Sequence, residues 1–188
     1  MWLSTTDIEN VMEQYHAAHP TFKFIGVHPR DFTAMARSGG SCISGTDVCD
    51  PPLADLHKKK NIKHIGAVFN MDKHDQRGSH WVSCFISMDA TKPMYGAYYY
   101  DSVARPPPPE IAAWMLKIQK IVDGFQKSDR PFELAYNRER RQFQNTECGM
   151  FSMVFLTVAM RNADTFTAIC NAMGNDRDMN TLRQVMYR

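Results

Sequence analysis

Hydrophobic positions near the start of the chain follow a helical period. Ser4 and Asp7 have the residue types that cap a helix N-terminus and complement its positive end. Apolar side chains then recur at helical spacing, at Ile8, Val11, Met12 and Tyr15. Pro20 is expected to close the segment. The pattern predicts one amphipathic helix before residue 20.

Apolar runs rich in β-forming residues dominate the middle of the chain. They cover residues 64–69, 81–88 and 96–100, and a further short run covers 132–136. Such runs predict strands, and together they predict a small sheet. Residues 38–52 are rich in Gly, Ser, Asp and Pro and therefore predict a loop.

Two later segments predict helices. Prolines 106–109 cannot lie inside a helix, but they favour a helix start at about Glu110, and the helical period then continues to Phe125. Residues 148–160 are apolar without a polar stripe, which is typical of a buried helix.

Length and composition restrict the class of protein. The chain has 188 residues, 44% of them hydrophobic, so we expect one compact domain over residues 1–188. A formal net charge of +2 is small for a dedicated nucleic-acid binder. The longest apolar stretch, residues 150–160, is far below the roughly 20 residues needed to cross a bilayer. We therefore expect a soluble protein without a membrane partner.

The cysteines and histidines form no metal-ligand pattern. Five cysteines are present without paired zinc spacing, and no secretory signal precedes them, which favours a reducing intracellular compartment. Cys42, Cys49 and His57 are interpreted as structural. His16 and His19 have helical ligand spacing but no nearby third ligand, so surface positions are expected. Neither a metal nor a cofactor is expected.

Cys148 is the candidate nucleophile. It lies where a polar stretch meets the predicted buried helix, with Asn145 or Thr146 as the expected cap. The positive end of a helix favours a thiolate over a thiol. Gly149 is expected to leave room for a substrate backbone. A buried Cys before Gly is more often ordinary helix packing, so the segment alone is not specific.

A cysteine nucleophile also needs a base, an orienting acid and an oxyanion donor. His80 opens the predicted strand 81–88, and Asp101 ends the run 96–100, so adjacent strands would bring them together. Asp89 is the weaker candidate acid, because it follows the same strand as His80. Gln142 and Gln144 are both close enough to Cys148 in sequence to donate to an oxyanion.

The ordered motifs "SHW", "YYYDS" and "QFQNTECGMF" resemble a clan of papain-like cysteine proteases. This clan contains the proteases of SUMO and other ubiquitin-like proteins, adenovirus protease and the proteases of large DNA viruses. The resemblance runs from Trp2 to about Arg161, and "NTECG" looks especially like the versions in large DNA viruses. It implies an α+β papain-like fold of the adenain and SUMO-protease type, with a central mixed sheet packed against the helix that begins at Cys148.

The resemblance also implies residue roles. His80 would be the base, Asp101 its orienting acid, and Cys148 the nucleophile. Gln142 would be the oxyanion donor, because the family's glutamine usually stands six or seven positions before the cysteine; Gln144 is the less favoured choice.

Two tryptophans complete the implied site. Trp2, in a "WL" motif, and Trp81 would flank a narrow channel for an extended Gly-Gly segment. The channel would select glycine, because any substrate side chain there would collide with the indoles.

Cellular SUMO proteases commonly carry an acidic residue where this chain has Thr5, and this chain begins at the motif. Both observations favour glycine-containing sites in viral structural polyproteins over ubiquitin-like conjugates.

Cleavage after glycine, at Gly-Gly or Gly-X sites, is therefore the expected activity, with a protein substrate and a monomeric enzyme. The host cytoplasm, the nucleus or the virion would be its location if it is viral. The alternatives are a deSUMOylating or deubiquitinating isopeptidase, and an inactive interaction module of the same fold. Arg138, Arg140 and Arg141 are candidates to bind an acidic substrate or a nucleic-acid or peptide activator.

Overall fold

The computed structural model describes residues 2–36, 39 and 41–187. The helices are α1 (Thr5–Ala18), α2 (Thr46–Cys49), α3 (Leu53–Lys60), α4 (Pro109–Phe125), α5 (Cys148–Ala159), α6 (Phe166–Ala172) and α7 (Asp176–Met186). The strands are β1 (Phe22–Pro29), β2 (His64–Asn70), β3 (Trp81–Ser87), β4 (Gly96–Tyr100) and β5 (Glu133–Tyr136).

One five-stranded mixed sheet organises the chain, in the order β1-β2-β3-β4-β5. β1 runs parallel to β2, and β4 runs parallel to β5, whereas β3 is antiparallel to both of its neighbours. The buried helix α5 packs against β3, on the face that α1 also covers. α3 and α4 cover the opposite face. The predicted α+β fold, with a mixed sheet packed against the helix that begins at Cys148, is confirmed.

Strand β3 is largely apolar on both faces, and its two serines, Ser83 and Ser87, are fully buried. Phe85 belongs to the core shared with α5, whereas Val82, Cys84 and Ile86 belong to the core shared with α4. A central strand buried on both faces has no polar side. The run therefore predicts a strand by its length and composition and not by alternation.

Local signals explain the start of α1 and the missed strand β1. The Asp7 amide donates to Ser4 Oγ (3.2 Å) and the Ser4 amide donates to Asp7 Oδ2 (2.8 Å), which is a capping box. In β1 the register shifts between Phe24 and Val27, where Gly26 has φ +103°. Such a bulge interrupts the alternation of buried and exposed side chains by which a strand is recognised in a sequence.

The prediction that residues 38–52 form a loop is wrong at Thr46–Cys49, because these residues form the short helix α2. Residues 38 and 40 of the predicted loop lie outside the described residues. Cys42 and Cys49 form a disulfide with their Cα atoms 6.6 Å apart. This pairing differs from the reduced cysteines expected from the sequence.

The two histidines of "HAAH" have local partners. His16 Nδ1 pairs with Glu13 (3.1 Å), and His19 stacks on Tyr15. Within the described part of the chain, no cluster of three or more metal-ligating side chains is found. Among the helices of these described residues, none is long and apolar enough to span a bilayer.

Candidate active site

His80 and Asp101 meet at one end of the sheet. His80 directly precedes β3, Asp101 directly follows β4, and these strands are antiparallel neighbours with Ser83 opposite Tyr100. The pairing brings His80 Nε2 to 2.6 Å from Asp101 Oδ1. The two residues therefore form the contact that their strand positions predict.

The Asp101 carboxylate is completely buried and held from several directions. Oδ1 accepts the Val103 amide (3.0 Å), and Oδ2 accepts the Arg105 amide (3.3 Å). The Asn137 side chain bonds both the amide and the carbonyl of Asp101, at 2.8 and 2.7 Å. These contacts fix the direction in which the carboxylate presents its lone pairs to His80.

Asp89, the weaker candidate acid, lies elsewhere. It follows the opposite end of β3 from His80, and its Oδ1 accepts the hydroxyl and the amide of Thr91 at 2.6 and 3.0 Å. Geometry thus places Asp101, and not Asp89, beside His80.

Cys148 is the first residue of α5 and is 1% exposed. Its side chain lies close enough to the His80 ring to raise the pKa of that ring. The predicted caps Asn145 and Thr146 are wrong, because Glu147 occupies the N-cap position and makes no side-chain cap bond. Its carboxylate instead binds the Thr146 hydroxyl (3.0 Å) and Arg183 of α7 (3.2 Å).

His80 has a shifted acid–base equilibrium. Burial alone lowers the pKa of His80, but the hydrogen bonds and negative charges of Asp101 and Cys148 outweigh it and raise the pKa to about 9. The ring is therefore an imidazolium at neutral pH.

The two candidate glutamines differ in their surroundings. Gln142 is buried, and its Oε1 accepts the Ser102 hydroxyl at 2.5 Å. Its Nε2 donates to the Gln144 carbonyl, also at 2.5 Å, while the Gln144 side chain is exposed. Ser102 is the residue after Asp101, so its hydrogen bond holds Gln142 next to the candidate site. The structure therefore favours Gln142 over Gln144.

Trp2 and Trp81 line one open groove of about 530 Å³. Trp2 is 45% exposed, whereas Trp81 is buried and its Nε1 donates to the Leu3 carbonyl at 3.0 Å. The two tryptophans predicted to flank a channel thus lie on the same surface, and one hydrogen bond joins the chain segments that carry them.

Gly149 has a different environment from the one expected. A Cβ atom at this position would lie 3.0 Å from Leu3 Cδ1 and 3.3 Å from Trp81 Cδ1. The protein's own side chains, Leu3 and Trp81, fill the space beside it. A direct contact of Gly149 with substrate stays a prediction.

Several supporting residues were missed by sequence reasoning. Ser102 and Asn137 hold Gln142 and Asp101, while Arg183 pairs with Glu147. Asp176 Oδ2 accepts the amides of residues 143 and 144 at 2.8 and 3.2 Å. Ser102 follows Asp101 in "YYYDS" and could have drawn notice, but nothing local in the sequence points from α7 to Cys148.

The three arginines that precede Cys148 in the sequence have local partners. Arg138 lies over the Tyr136 ring and Arg140 over the Phe143 ring, at 5.0 and 4.9 Å. Arg141 donates to Glu139 and to the Asn171 carbonyl, both at 3.0 Å. A role for them in binding an activator stays a prediction.

Comparison with known proteins identifies matches over almost the whole chain. The family model described as "Ulp1 protease family, C-terminal catalytic domain" matches residues 5–187. A protein of Acanthamoeba polyphaga mimivirus named "Putative thiol protease" is 30% identical over 192 residues, covering 100% of this chain and 57% of that protein. The chain thus spans little more than half the length of this relative.

Two solved structures share the fold. The crystal structure of a protease of African swine fever virus matches with a TM-score of 0.80 and 17% identity, covering 100% of this chain and 67% of that one. The C-terminal Ulp1 protease domain, solved in complex with Smt3, the yeast ortholog of SUMO, matches with a TM-score of 0.60 and 17% identity, covering 98% and 74%.

Proposed function

Because the chain belongs to the Ulp1 protease family, we propose that it is a cysteine endopeptidase that cleaves protein substrates after glycine. Cys148 is the nucleophile, His80 the acid and base, and Asp101 the residue that orients His80. The observation that carries the proposal is the hydrogen bond between buried Asp101 and His80, together with the interaction of His80 with Cys148 at the start of α5.

The reaction begins with thiolate attack on the carbonyl carbon of the glycine. The Cys148 amide, at the start of α5, and the Gln142 side chain donate to the developing oxyanion. The His80 imidazolium then protonates the leaving amine as the C–N bond breaks, which gives a thioester. His80 next takes a proton from water, whose oxygen attacks the thioester and releases the acid and Cys148.

Selectivity for glycine follows from access to the sulfur. Cys148 is almost fully buried, and Trp2 and Trp81 line a groove. Trp81 also packs against Gly149, the residue after Cys148, where an added Cβ would lie 3.3 Å from Trp81 Cδ1. A substrate segment that passes between two flat indoles has room for a backbone but not for side chains. Gly-Gly and Gly-X sites in structural precursor proteins fit this requirement. The enzyme is proposed to act as a monomer.

A second candidate function is the removal of a ubiquitin-like protein from its conjugates. A similar fold was solved in complex with a SUMO ortholog, and the C-terminal glycines of such a partner would meet the same steric requirement. The chemistry at Cys148 is identical in both functions, so only the substrate differs.

Electrophilic probes test both functions. The protein is incubated with Gly-Gly electrophiles built on ubiquitin, on SUMO and on short peptides, with Cys148→Ala as the control. We expect covalent labelling of Cys148 by peptide probes, and stronger labelling by a ubiquitin-like probe would favour the second function. If the folded protein reacts with none of them, the protease proposal is wrong.

A further inference from the structure

The groove beside the two tryptophans carries positive charge. Its walls come from residues 2–5, residues 27–29 and the segment that links β2 to β3. Among the described residues that line it, Lys73 and Arg77 are cationic and none is Asp or Glu. Both cations are exposed. The groove therefore presents two cationic side chains on the surface that Trp81, the residue after His80, also lines.

Asp72 and Asp75 lie on the same loop as these cations, and Asp31 contacts His74 between them, but none of these acids lines the groove. Asp31 is engaged by the amide and ring of His74, at 2.9 and 2.8 Å, and Asp72 accepts the Ser79 hydroxyl at 2.7 Å. In the described part of the chain, the ion pairs include neither Lys73 nor Arg77. Their charges are available to a ligand.

The same contacts hold the β2–β3 loop in place. His74 is tied to Asp31, on the segment after β1, and Asn70 Oδ1 accepts the amides of Asp72 and Ser79 at 2.9 and 3.3 Å. A loop ordered before binding loses less entropy when a ligand arrives. The two cations therefore project from a supported loop.

The position of the groove sets which part of a substrate it meets. Trp2 and Trp81 line it, but Cys148, His80 and Gln142 do not. If the glycines pass between the indoles to reach Cys148, residues on their N-terminal side emerge into the groove. About 530 Å³ lies within the range of ligand sites, roughly 300–1,000 Å³, which is enough for a few residues.

We propose that this groove binds an acidic segment of the substrate immediately N-terminal to the cleaved glycine site, with Lys73 and Arg77 as the specificity-determining residues. The inference rests on the proposed cleavage after glycine. Coulomb attraction to two exposed cations gives a preference of roughly tenfold at low salt. Salt at about 1 M, where the Debye length is about 3 Å, removes most of it.

Matched peptides measure the preference. Two fluorogenic peptides share a Gly-Gly cleavage site and differ only upstream, where one carries Asp and Glu and the other Asn and Gln. We expect kcat/KM to favour the acidic peptide roughly tenfold at low salt, and the Lys73→Gln/Arg77→Gln variant to reduce this ratio to near one. Lys120→Gln/Lys127→Gln removes the same two charges elsewhere and should keep the ratio.

A binding measurement separates this inference from the proposed chemistry. Fluorescence anisotropy with the Cys148→Ala variant reports affinity for the same two peptides without turnover. Tighter binding of the acidic peptide that depends on Lys73 and Arg77 would support the groove even if no peptide is cleaved. Equal binding of both peptides, or a preference that survives loss of both cations, would overturn the inference.

Discussion

The indole of Trp81 donates to the Leu3 carbonyl at 3.0 Å and so ties the residue after His80 to the segment that carries Trp2. Seventy-eight positions separate the two residues along the chain. One hydrogen bond thus couples the position of the exposed Trp2 to the strand that opens at the candidate active site.

Trp81→Phe should weaken substrate binding more than it slows chemistry. The substitution keeps an aromatic ring but removes the bond to Leu3, worth about 0.5–1.5 kcal/mol. We expect KM for Gly-Gly peptides to rise by roughly two- to tenfold, with little change in kcat. Steady-state kinetics on peptides with Gly-Gly and Ala-Gly sites measure both affinity and glycine selectivity.

Trp114→Phe is the matched control. Trp114 Nε1 donates to the Val48 carbonyl at 2.6 Å, a bond of the same kind on the opposite face of the sheet. Its loss should lower the free energy of unfolding and leave KM unchanged. Equal effects of the two substitutions on KM would contradict a specific role for the Trp81–Leu3 bond.

Gly149→Ala should disturb the same segment by another route. The added Cβ would lie 3.0 Å from Leu3 Cδ1, so the Leu3 side chain must shift by a few tenths of an ångström, in the segment that carries Trp2. Alanine is intrinsically better than glycine in a helix by about 1 kcal/mol, which offsets part of the steric cost. We expect a small change in thermal stability but a several-fold loss of kcat/KM.

Gly124→Ala provides the comparison for Gly149→Ala. Gly124 lies in α4, and a Cβ there meets nothing within 4 Å. This variant should gain stability, by up to about 1 kcal/mol, and keep full activity. An unchanged kcat/KM in Gly149→Ala would show that Leu3 can shift without consequence for the site.

The pH dependence of activity should reflect His80. Its pKa of about 9 keeps the ring protonated through neutral pH, so kcat/KM should fall as pH rises above about 9 and the proton for the leaving amine is lost. Asp101→Asn removes a charge that raises this pKa. The alkaline limit should therefore move to lower pH, and kcat should drop on the order of 100-fold or more.

Stability should follow the same titration. Because folding raises the pKa of His80 from its ordinary value of 6.5, protonation stabilises the fold. This contribution is fully present below about pH 6.5 and is lost as pH rises through about 9. Denaturant unfolding across that range should show this contribution in the native protein and not in Asp101→Asn.

Asp89→Asn, at the far end of β3, is the control and should leave the pH profiles of activity and of stability unchanged. If Asp101→Asn does not move the alkaline limit of activity, the assignment of Asp101 as the partner of His80 is wrong.

The sequence predicts the contact between His80 and Asp101 because each stands at the end of an apolar run. Central strands buried on both faces are recognisable by composition, and adjacent antiparallel strands bring such end residues together. Cys148 is predictable for a similar reason, since a polar stretch followed by an unbroken apolar helix marks where α5 begins.

The residues that support the candidate site make contacts that no local sequence pattern predicts. β1 escapes prediction because its bulge at Gly26 breaks the alternation of buried positions. The cap of α5 is mispredicted because the Glu147 side chain turns to Arg183, thirty-six residues later, instead of to its own helix. Long-range pairing of this kind becomes visible only when the helices are placed in space.

Arg183 should be a positioning residue for Cys148. Glu147 and Arg183 are 5% and 18% exposed in their side chains and 3.2 Å apart, so removing one leaves the other charge buried without its partner. Arg183→Met keeps most of the side-chain length but not the charge. We expect it to lower the free energy of unfolding by roughly 3 kcal/mol and to reduce kcat more than it changes KM, because Glu147 adjoins the nucleophile.

A double-mutant cycle distinguishes positioning from general destabilisation. Adding Glu147→Gln to Arg183→Met removes the unpaired charge and should recover stability and part of kcat together. Arg177→Met, on an exposed position of the same helix, should change neither. If Arg183→Met loses stability but keeps the native kcat at a temperature where it remains folded, then α7 stabilises the fold without positioning Cys148.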